Sequence, residues 1–394
     1  MNCNNPLCKP LSVFQTIPIL TKIVPITLFY AGLYALFINL GHNLKIVFYS
    51  SQLIDEQYKS VLEENGVGYN LKAELFNFSP RLTINDKDSC DSFKKQVDKN
   101  KPLLGKRKPD YANKDLCEFN QRLLPFLQHI KAEIFSTHQE MEKMPRYWDM
   151  GYEFPQFHGI NATKHFQSFS FDNREFIIPP SSRFFNHDIR NLSSLLKDLD
   201  RYDLIVMDIP WRNKYIRRLK KVKHSLSYDM LRNEDLKSMP IEQLTHSKTL
   251  VALWCTNSQQ HQRILVEDFL PKWNLKLVHS MKWFKLNTEG NLIGPLKGQG
   301  FKQPYETLYI ACHKNNDLES VENLREISFI FSIPSIIHSH KPPLYTWLKE
   351  YWPGVKDLKC LEIFARYLHP HFTSIGLEVI KLMDKLLYNY EKAL

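Results

Sequence analysis

The decapeptide Tyr202–Trp211, with the sequence YDLIVMDIPW, carries the strongest indication of the fold of this chain. It opens with a short apolar run and closes with an acid, a proline-stiffened turn and an aromatic residue. A short apolar run bounded by turn residues is typical of a strand buried on both faces, as in a parallel sheet covered by helices. Ligands of such sheets bind beyond the carboxyl ends of the strands. Because Asp208 lies at such an end, the decapeptide predicts both a parallel strand and a ligand site.

From about residue 151 onward, strand-type and helix-type patterns alternate. Short apolar runs predict strands, and amphipathic spacing between them predicts helices. Alternation of this kind predicts an α/β fold with a mostly parallel sheet. The predicted strands are 203–208, 249–255, 277–283, 306–312 and 358–364, and the predicted helices are 233–244, 259–270 and 343–351.

Length and composition set limits on the class of protein. The 394 residues are enough for one large domain and a smaller one. A formal net charge of +10 and a pI of about 9.0 favour polyanionic partners without identifying one. The seven cysteines are odd in number and form no C-x-x-C pair. They indicate reduced thiols of an intracellular protein rather than a disulfide framework or a zinc site.

The first 150 residues are predicted to precede the main domain, residues 151–394, as two segments. Residues 1–44 are a hydrophobic extension whose uncharged run, 23–44, is a membrane span, a buried hairpin or helix, or an addition peculiar to this chain. Residues 45–150 are predicted as a smaller, α-rich accessory region with a basic linker, and the apolar spacing at 119–134 indicates an amphipathic helix. The Lys106-Arg107-Lys108 cluster of the linker is either a nuclear import signal or a solvated loop.

The residue types in Asp208–Trp211 suit the binding of a flat base that carries an exocyclic amine. The amine is a poor nucleophile because its lone pair is delocalised into the ring. A carboxylate at Asp208 and the backbone carbonyl of Ile209 could accept the two amine hydrogens, while Trp211 stacks on the base. Pro210 stiffens the turn between them. These four residues are therefore the catalytic candidates, and their chemistry needs no metal.

Directly after Trp211, seven cations fall within twelve residues and no acid is present. This stretch is either a loop that contacts phosphates or an ordinary solvated basic loop. Its position beside the predicted base pocket favours contact with nucleic acid. The substrate-side candidates are Asn213, Lys214, Arg217, Arg218, Lys220 and Lys221.

Four blocks of sequence carry a resemblance to a known family. In chain order they are 188–192 (DIRNL), Asp208–Trp211, 338–343 (HSHKPP) and 361–366 (LEIFAR), the last followed by Thr373, Ser374 and Gly376. On these blocks, residues 171–379 resemble the adenine-N6 methyltransferase family, and most closely its methyltransferase-like protein 4 branch. The resemblance implies a Rossmann-like class I fold with permuted motif order, since the catalytic motif precedes the cofactor-binding strand.

The resemblance also implies S-adenosylmethionine as the methyl donor. Asp188 and Ile189 would contact its adenine, Lys341 its methionine carboxylate, and Glu362 with Arg366 its ribose hydroxyls. These roles are chemically sound, because carboxylates accept hydroxyl donors and cations neutralise carboxylates. Simpler interpretations are a helix start after Lys341 and a surface ion pair between Glu362 and Arg366. The cofactor-side candidates are Asp188, Ile189, Asp208, Lys341, Glu362, Arg366 and Glu378.

This chain departs from the family pattern at several positions. Ile209 replaces a proline, which keeps the carbonyl but loses the fixed φ and adds a backbone N–H. Leu377 replaces an asparagine, which removes a cofactor hydrogen bond worth about 1 kcal/mol. Phe372 and Ile375 occupy aromatic positions of the relatives.

The substrate implied by the resemblance is adenine N6 in RNA, with the 2′-O-methylated adenosine of U2 small nuclear RNA as the leading choice. The expected location is the nucleus, with the cytoplasm as a second site. DNA adenine is the alternative substrate, because a flipped base looks alike in either polymer. Two rival interpretations are a non-catalytic RNA-binding scaffold with a methyltransferase fold and a membrane-anchored protein whose soluble domain has an unknown function. Histidine pairs at 338/340 and 369/371 have no third ligand in suitable spacing, so no metal is predicted.

Overall fold

The computed structural model describes most of the chain from residue 154 onward. The described ranges are 154–211, 231–287, 289–296, 303–316, 324–325, 327–335, 340–352 and 357–392, with 36–39, 45–49, 67–72 and the single residues 75, 127, 321, 337 and 355. The Lys106-Arg107-Lys108 cluster and all six substrate-side candidates lie outside these ranges. The predicted helix at 119–134 lies outside them too, apart from Leu127.

Fifteen strands occur in the described residues. They are β1 (Leu36–Asn39), β2 (Lys45–Tyr49), β3 (Val67–Leu71), β4 (Phe157–Asn161), β5 (Gln167–Phe171), β6 (Arg174–Ile178), β7 (Ser182–Asn186), β8 (Leu204–Asp208), β9 (Leu250–Cys255), β10 (Leu275–Lys285), β11 (Tyr305–His313), β12 (Ile327–Ser332), β13 (Cys360–Ile363), β14 (Phe372–Gly376) and β15 (Tyr388–Lys392).

Eleven of these strands form one mixed sheet in the order β1-β2-β12-β10-β11-β9-β8-β13-β14-β7-β4. Most of them run in one direction. Among the described strands of this sheet, those that run the opposite way are β1, β11 and β4. The predicted α/β, Rossmann-like fold with a mostly parallel sheet is therefore confirmed.

All five predicted strands are present, with ends that differ by at most two residues, as β8, β9, β10, β11 and β13. The predicted helices are shorter or interrupted. The helix predicted at 233–244 ends at Lys237 and is followed by a 3-10 turn at Ile241–Leu244. Pro240 separates the two pieces, because proline lacks an N–H and its ring clashes with the preceding turn.

The other helices are similarly short. They are α1 (Leu192–Leu195), α2 (Asn233–Lys237), α3 (Gln259–Ile264), which continues through a π segment at Leu265–Phe269 into α4 (Leu270–Lys272), and α5 (Tyr345–Leu348). Further 3-10 turns lie at Ile189–Asn191, Leu196–Asp198, Lys349–Tyr351, Lys381–Met383 and Lys385–Leu387.

The part of the chain before residue 154 contributes strands where it is described. β1 and β2 extend the main sheet, and β3 pairs with β15 near the C-terminus. Residues 36–39 of the uncharged run belong to β1. Of the helices that the structure describes, none is long and apolar enough to cross a membrane. The predicted division at residues 44 and 150 stays a prediction.

Alternation along β8 places the site on one face of the sheet. Ile205 and Met207 pack into one core cluster, while Leu204 and Val206 pack into the other. Both faces of the strand are buried, as its continuous apolar sequence predicted. Asp208 follows Val206 by two positions, so its side chain lies on the same face as Val206.

The connections of the sheet diverge at β8 and β13. These strands are neighbours, and Val206 pairs with Glu362. The chain leaves β8 for β9 on one side and leaves β13 for β14 on the other. Neighbouring parallel strands whose connections part in this way open a ligand-binding crevice at their carboxyl ends. The crevice of this protein therefore begins beyond Asp208 and Ile363.

Candidate active site

The turn that follows β8 is closed by a short backbone hydrogen bond. The N–H of Trp211 donates to the carbonyl oxygen of Ile209 at 2.8 Å. A three-residue turn of this kind requires a central φ near the value that the proline ring imposes, and Pro210 is the central residue. A carbonyl oxygen has two lone pairs, so the Ile209 carbonyl keeps one for a second donor.

Asp208 is joined to Lys341, which lies in the loop before α5. The Lys341 Nζ is 3.5 Å from the Asp208 Oδ1 and also contacts the Glu306 Oε2. Lys285, at the end of β10, contacts the other oxygen of Glu306. These four residues form a continuous chain of alternating charge, termed the charge network below.

Two tryptophans form the wall beneath the charge network. The Lys341 Nζ is 5.5 Å from the ring centre of Trp254 and 5.9 Å from that of Trp283. The Lys285 Nζ is 4.6 Å from the Trp283 ring. An ammonium group over an indole face gains about 0.5 to 2 kcal/mol, and more where water is excluded. The wall thus holds both lysines at the crevice.

Sequence reasoning did not identify Glu306, Lys285 or the two tryptophans as site residues. Glu306 was predicted only as the first residue of a strand. The available signal was an acid at a strand end in phase with Leu308 and Ile310, which pack on the Val206 face of the sheet. That signal is weak alone, because the strand partners that bring Glu306 to Lys341 are distant in sequence.

Glu362 lies on β13 beside Val206 and is only 8% exposed. Its Oε2 is 3.5 Å from the His369 Nε2 and has no hydrogen-bond partner within the described part of the chain. Burial, with the nearby charge of Asp208, raises the pKa of Glu362 to about 8. The alternative of a surface position for Glu362 is therefore wrong, and its free oxygen is available to a ligand.

Burial and the neighbouring charges of the network shift the pKa values of its members. Burial raises the pKa of Asp208, and Glu306 adds to this effect while Lys341 and Arg366 oppose it. Burial acts in the same direction on Glu306, but the two lysines outweigh it and hold the pKa of Glu306 well below its usual range. For Lys341, the carboxylates of Asp208 and Glu306 outweigh burial and raise the pKa. Lys341 is therefore charged at neutral pH.

Trp211 is packed inside the protein, with 3% of its surface exposed. Its ring stacks on His261 at 4.7 Å and on Phe269 at 5.7 Å, both contributed by the helix that starts at Gln259. Its indole nitrogen has no hydrogen-bond partner among the described residues. In this arrangement Trp211 braces the turn against the helix, and its predicted stacking on a base stays a prediction.

Asp188 and Ile189 follow β7, whose carboxyl end lies at the same edge of the sheet as that of β13. Ile189 is buried, and Asp188 caps a 3-10 turn by accepting from the N–H of Arg190 at 2.9 Å. The Arg190 guanidinium also binds both carboxylate oxygens. Burial alone would raise the pKa of Asp188, but Arg190 outweighs it and lowers the pKa.

Arg366 pairs with Glu378 rather than standing at the surface. The Arg366 Nε is 3.5 Å from the Glu378 Oε2, and the other Glu378 oxygen accepts from Lys381 at 2.6 Å. Leu377, which lies between the end of β14 and Glu378 in the sequence, is exposed. Two cofactor-side candidates are thus joined, and Arg366 is close enough to Asp208 to influence its pKa.

A narrow cavity lies between the Lys341 loop and β13. Its lining includes Val206, Trp254, Lys341, Glu362 and His369. S-adenosylmethionine carries hydroxyls, a carboxylate and a sulfonium, and the lining supplies matching groups. The unpaired oxygen of Glu362 suits a hydroxyl, and the Lys341 cation suits the carboxylate. The residues present therefore fit this group.

Two other sequence features are placed by the structure. Asn161 begins a formal glycosylation sequence, but it is fully buried and its amide nitrogen donates to three backbone carbonyls. Among the described residues, no group of three or more His, Cys, Asp or Glu side chains is placed to hold a metal ion. His369 and His371 belong to this described part, whereas His338 does not.

The fold and the site together define a Rossmann-like α/β domain with a ligand-binding crevice at the carboxyl ends of β8 and β13. Residues 202–378 match the family described as MT-A70, in agreement with the resemblance that the motifs carry. MT-A70 methyltransferases depend on S-adenosylmethionine, which is the predicted donor.

Several proteins of similar sequence are named as methyltransferases that act at adenine N6. The N(6)-adenine-specific methyltransferase METTL4 of Mus musculus is 35% identical over 216 residues, which are 53% of this chain and 44% of that protein. The DNA N6-methyl methyltransferase of Caenorhabditis elegans is 33% identical over 218 residues, covering 54% and 56%. The N6-methyladenosine RNA methyltransferase MTA1 of Pyricularia oryzae is 29% identical over 215 residues, covering 53% and 56%. The match spans about half the length of these relatives.

Proposed function

We propose that this protein transfers a methyl group from S-adenosylmethionine to the N6 atom of adenine in a nucleic acid. The observation that carries the proposal is the position of Asp208. It lies at the carboxyl end of β8, next to the Ile209 carbonyl turn and 3.5 Å from Lys341. A carboxylate and a carbonyl side by side suit an amine that must present two hydrogens.

The protein residues act mainly by positioning. Asp208 and the Ile209 carbonyl accept the two N6 hydrogens, which favours the pyramidal nitrogen and frees its lone pair. Lys341 holds Asp208 in place through the charge network. When bound, S-adenosylmethionine supplies the methyl group, and Lys341 and Glu362 are the residues that would hold it.

For the substrate we favour adenine in RNA, and specifically the 2′-O-methylated adenosine of U2 small nuclear RNA. The resemblance of the four sequence blocks supports this choice, as does the basic run after Trp211. A nuclear location, with the cytoplasm second, belongs to the same proposal. The name of the relative from Caenorhabditis elegans supports DNA adenine as the second candidate.

A non-catalytic RNA-binding scaffold is the rival function. It rests on the exchange of proline for Ile209 and of asparagine for Leu377. The hydrogen bond from Trp211 to the Ile209 carbonyl argues against this rival, because the turn closes without the first proline. The intact charge network argues in the same direction, since buried ion pairs add little to stability and a scaffold could replace them with apolar residues.

Titration calorimetry with S-adenosylmethionine tests the proposal. The wild-type protein should bind the donor, and Lys341→Ala and Asp208→Ala should weaken binding at least tenfold. Lys359→Ala is the control, because Lys359 forms an exposed ion pair with Asp200 outside the crevice. Wild-type protein that binds no donor at millimolar concentration, with RNA binding intact, would establish the scaffold instead.

A further inference from the structure

The residues that would hold the donor come from two separate parts of the chain. Lys341 precedes α5, whereas Glu362 and Arg366 lie on β13 and the loop after it. The two parts must keep a fixed distance if Lys341 is to reach the crevice while Glu362 faces the cavity. Misplacement of a positioning residue by about 1 Å can lower the rate a hundredfold. A contact between the two parts of the chain therefore bears directly on the site.

Tyr367 makes such a contact. It directly follows Arg366, and its hydroxyl donates to the backbone carbonyl of Lys341 at 2.9 Å. The hydrogen bond acts on the backbone of Lys341, so it sets where the lysine side chain begins without competing for its ammonium group. The Lys341 Nζ remains engaged with Glu306 and Asp208.

Two histidine rings pack against the Tyr367 ring, and a phenylalanine supports one of them. His340 and His369 meet it edge-on at 4.7 and 4.4 Å, and Phe372 packs against His369 at 5.0 Å. Tyr367 and both histidines are buried. Burial lowers the pKa of His340 to about 4 and, with His340 adjacent, the pKa of His369 to about 3. The histidines are therefore uncharged packing partners and add no cation beside Lys341.

The same cluster reaches the other half of the site. His369 packs against the Tyr367 ring, and its Nε2 lies 3.5 Å from the Glu362 Oε2. Tyr367 and His369 both line the cavity together with Lys341 and Glu362. Directly packed side chains therefore connect the backbone of Lys341 to the carboxyl group of Glu362.

We propose that Tyr367 is a positioning residue for the methyl donor, which aligns the Lys341 loop with Glu362 and Arg366 through its hydroxyl. This inference rests on the proposed function and adds a residue to it. Removal of the hydroxyl alone leaves the ring packing intact and frees the Lys341 backbone to move.

Titration calorimetry with S-adenosylmethionine on the full chain tests this role, with Tyr367→Phe as the variant. Loss of one buried hydrogen bond is worth a factor of roughly 3 to 10 in affinity. We expect the dissociation constant for the donor to rise by that factor, with no change in RNA affinity. A matching rise in KM for the donor at constant KM for RNA should accompany it.

Tyr388→Phe is the matched control. Its hydroxyl is also buried and donates to a backbone carbonyl, that of Leu382, at 2.8 Å. The two variants should lose comparable thermal stability, but Tyr388→Phe should bind the donor like the wild type. Equal donor affinity in wild type and both variants would overturn the positioning role, as would equal weakening in both variants.

A double-mutant cycle with Lys341→Met tests whether Tyr367 acts on donor binding through Lys341. If Tyr367 acts through Lys341, Tyr367→Phe should weaken donor binding no further once the lysine is absent. Additive losses would overturn the role. A wild-type protein that binds no donor would instead defeat the proposed function itself, so the two failures are distinguishable.

Discussion

The pKa of the Glu362 side chain lies far from its value in water. Its pKa rises from 4.5 to about 8 because it is buried beside Asp208. An acid with a raised pKa in the folded state stays protonated while the unfolded chain ionises. Its contribution to folding stability is complete below about pH 4.5 and is lost as the pH rises towards about 8.

The variant Glu362→Gln tests this pH dependence. Glutamine is neutral and similar in shape, so the variant should not lose stability over that range. The free energy of unfolding of the variant, relative to the wild type, should therefore increase between about pH 5 and about pH 8 and level off above that. Urea denaturation across this range gives the difference directly. A difference that does not vary with pH would show that Glu362 is ionised in the folded protein.

His371 is held in a backbone conformation that favours glycine. It has φ of 64° in the turn that leads from His369 into β14, where the N–H of Phe372 donates to the His369 carbonyl. The left-handed region costs a residue with a side chain about 1 to 2 kcal/mol. His371→Gly should therefore raise the free energy of unfolding by about 1 kcal/mol, as measured by urea denaturation. A loss of stability would mean that the imidazole makes a contact worth more than the strain.

At the scale of elements, β13 and β14 approach each other closely at their carboxyl ends. A Cβ placed on Gly376 would lie 2.5 Å from the carbonyl oxygen of Ala365. The N–H of Ala365 donates to Ile375, and the carbonyl of Gly376 accepts from His187. The glycine therefore permits three loops to meet where the donor is proposed to bind.

Gly376→Ala should lower the free energy of unfolding by about 1 to 3 kcal/mol, because rigid backbone cannot yield to the added methyl group. Gly294→Ala is the control, since a Cβ at Gly294 would meet no atom within 4 Å. Chemical denaturation of both variants measures the difference. Equal stability of the two variants would show that β13 and β14 can separate without cost.

The elements of the sheet were predictable from sequence to different degrees. β8 and β9 were identified because their apolar runs match the length of a buried strand. The helix predicted at 233–244 is interrupted in the structure because Pro240 breaks its backbone hydrogen-bond pattern, which apolar periodicity does not reveal.

The catalytic motif was visible in the sequence because its residues are contiguous. The charge network was not, because Lys285, Glu306 and Lys341 come together only through strand pairing and a distant loop.

At the scale of the whole molecule, excess positive charge provides the attraction for a nucleic acid. The formal net charge is +10, and seven cations follow Trp211 directly. Protein cations that neutralise phosphates release counterions, so affinity falls with salt in proportion to the number of contacts. The basic run lies outside the described residues, and its contact with substrate remains a prediction.

Replacement of Arg217, Arg218, Lys220 and Lys221 by alanine should weaken RNA binding and flatten its dependence on salt. A slope reduced by up to about four would correspond to four lost phosphate contacts. The control variant replaces four exposed cations elsewhere, so that both variants carry the same net charge. These cations are Lys237, Arg263, Lys272 and Lys359. Equal slopes for the two variants would show that charge alone, and not the basic run, governs binding.

Mass spectrometry of nucleosides after reaction in vitro shows whether the protein methylates adenine at N6. Purified protein, S-adenosylmethionine and matched adenine-containing RNA and DNA would be incubated, digested and analysed, with Asp208→Asn as the comparison. Loss of a group that stabilises the transition state typically costs 10² to 10³ in rate, about 3 to 4 kcal/mol. We expect N6-methylated adenosine with the wild type, more from RNA than from DNA, and a loss of about that size in Asp208→Asn. No N6-methylated product from either polymer would rule out the proposed methyl transfer, and equal product from Asp208→Asn would rule out the role of Asp208.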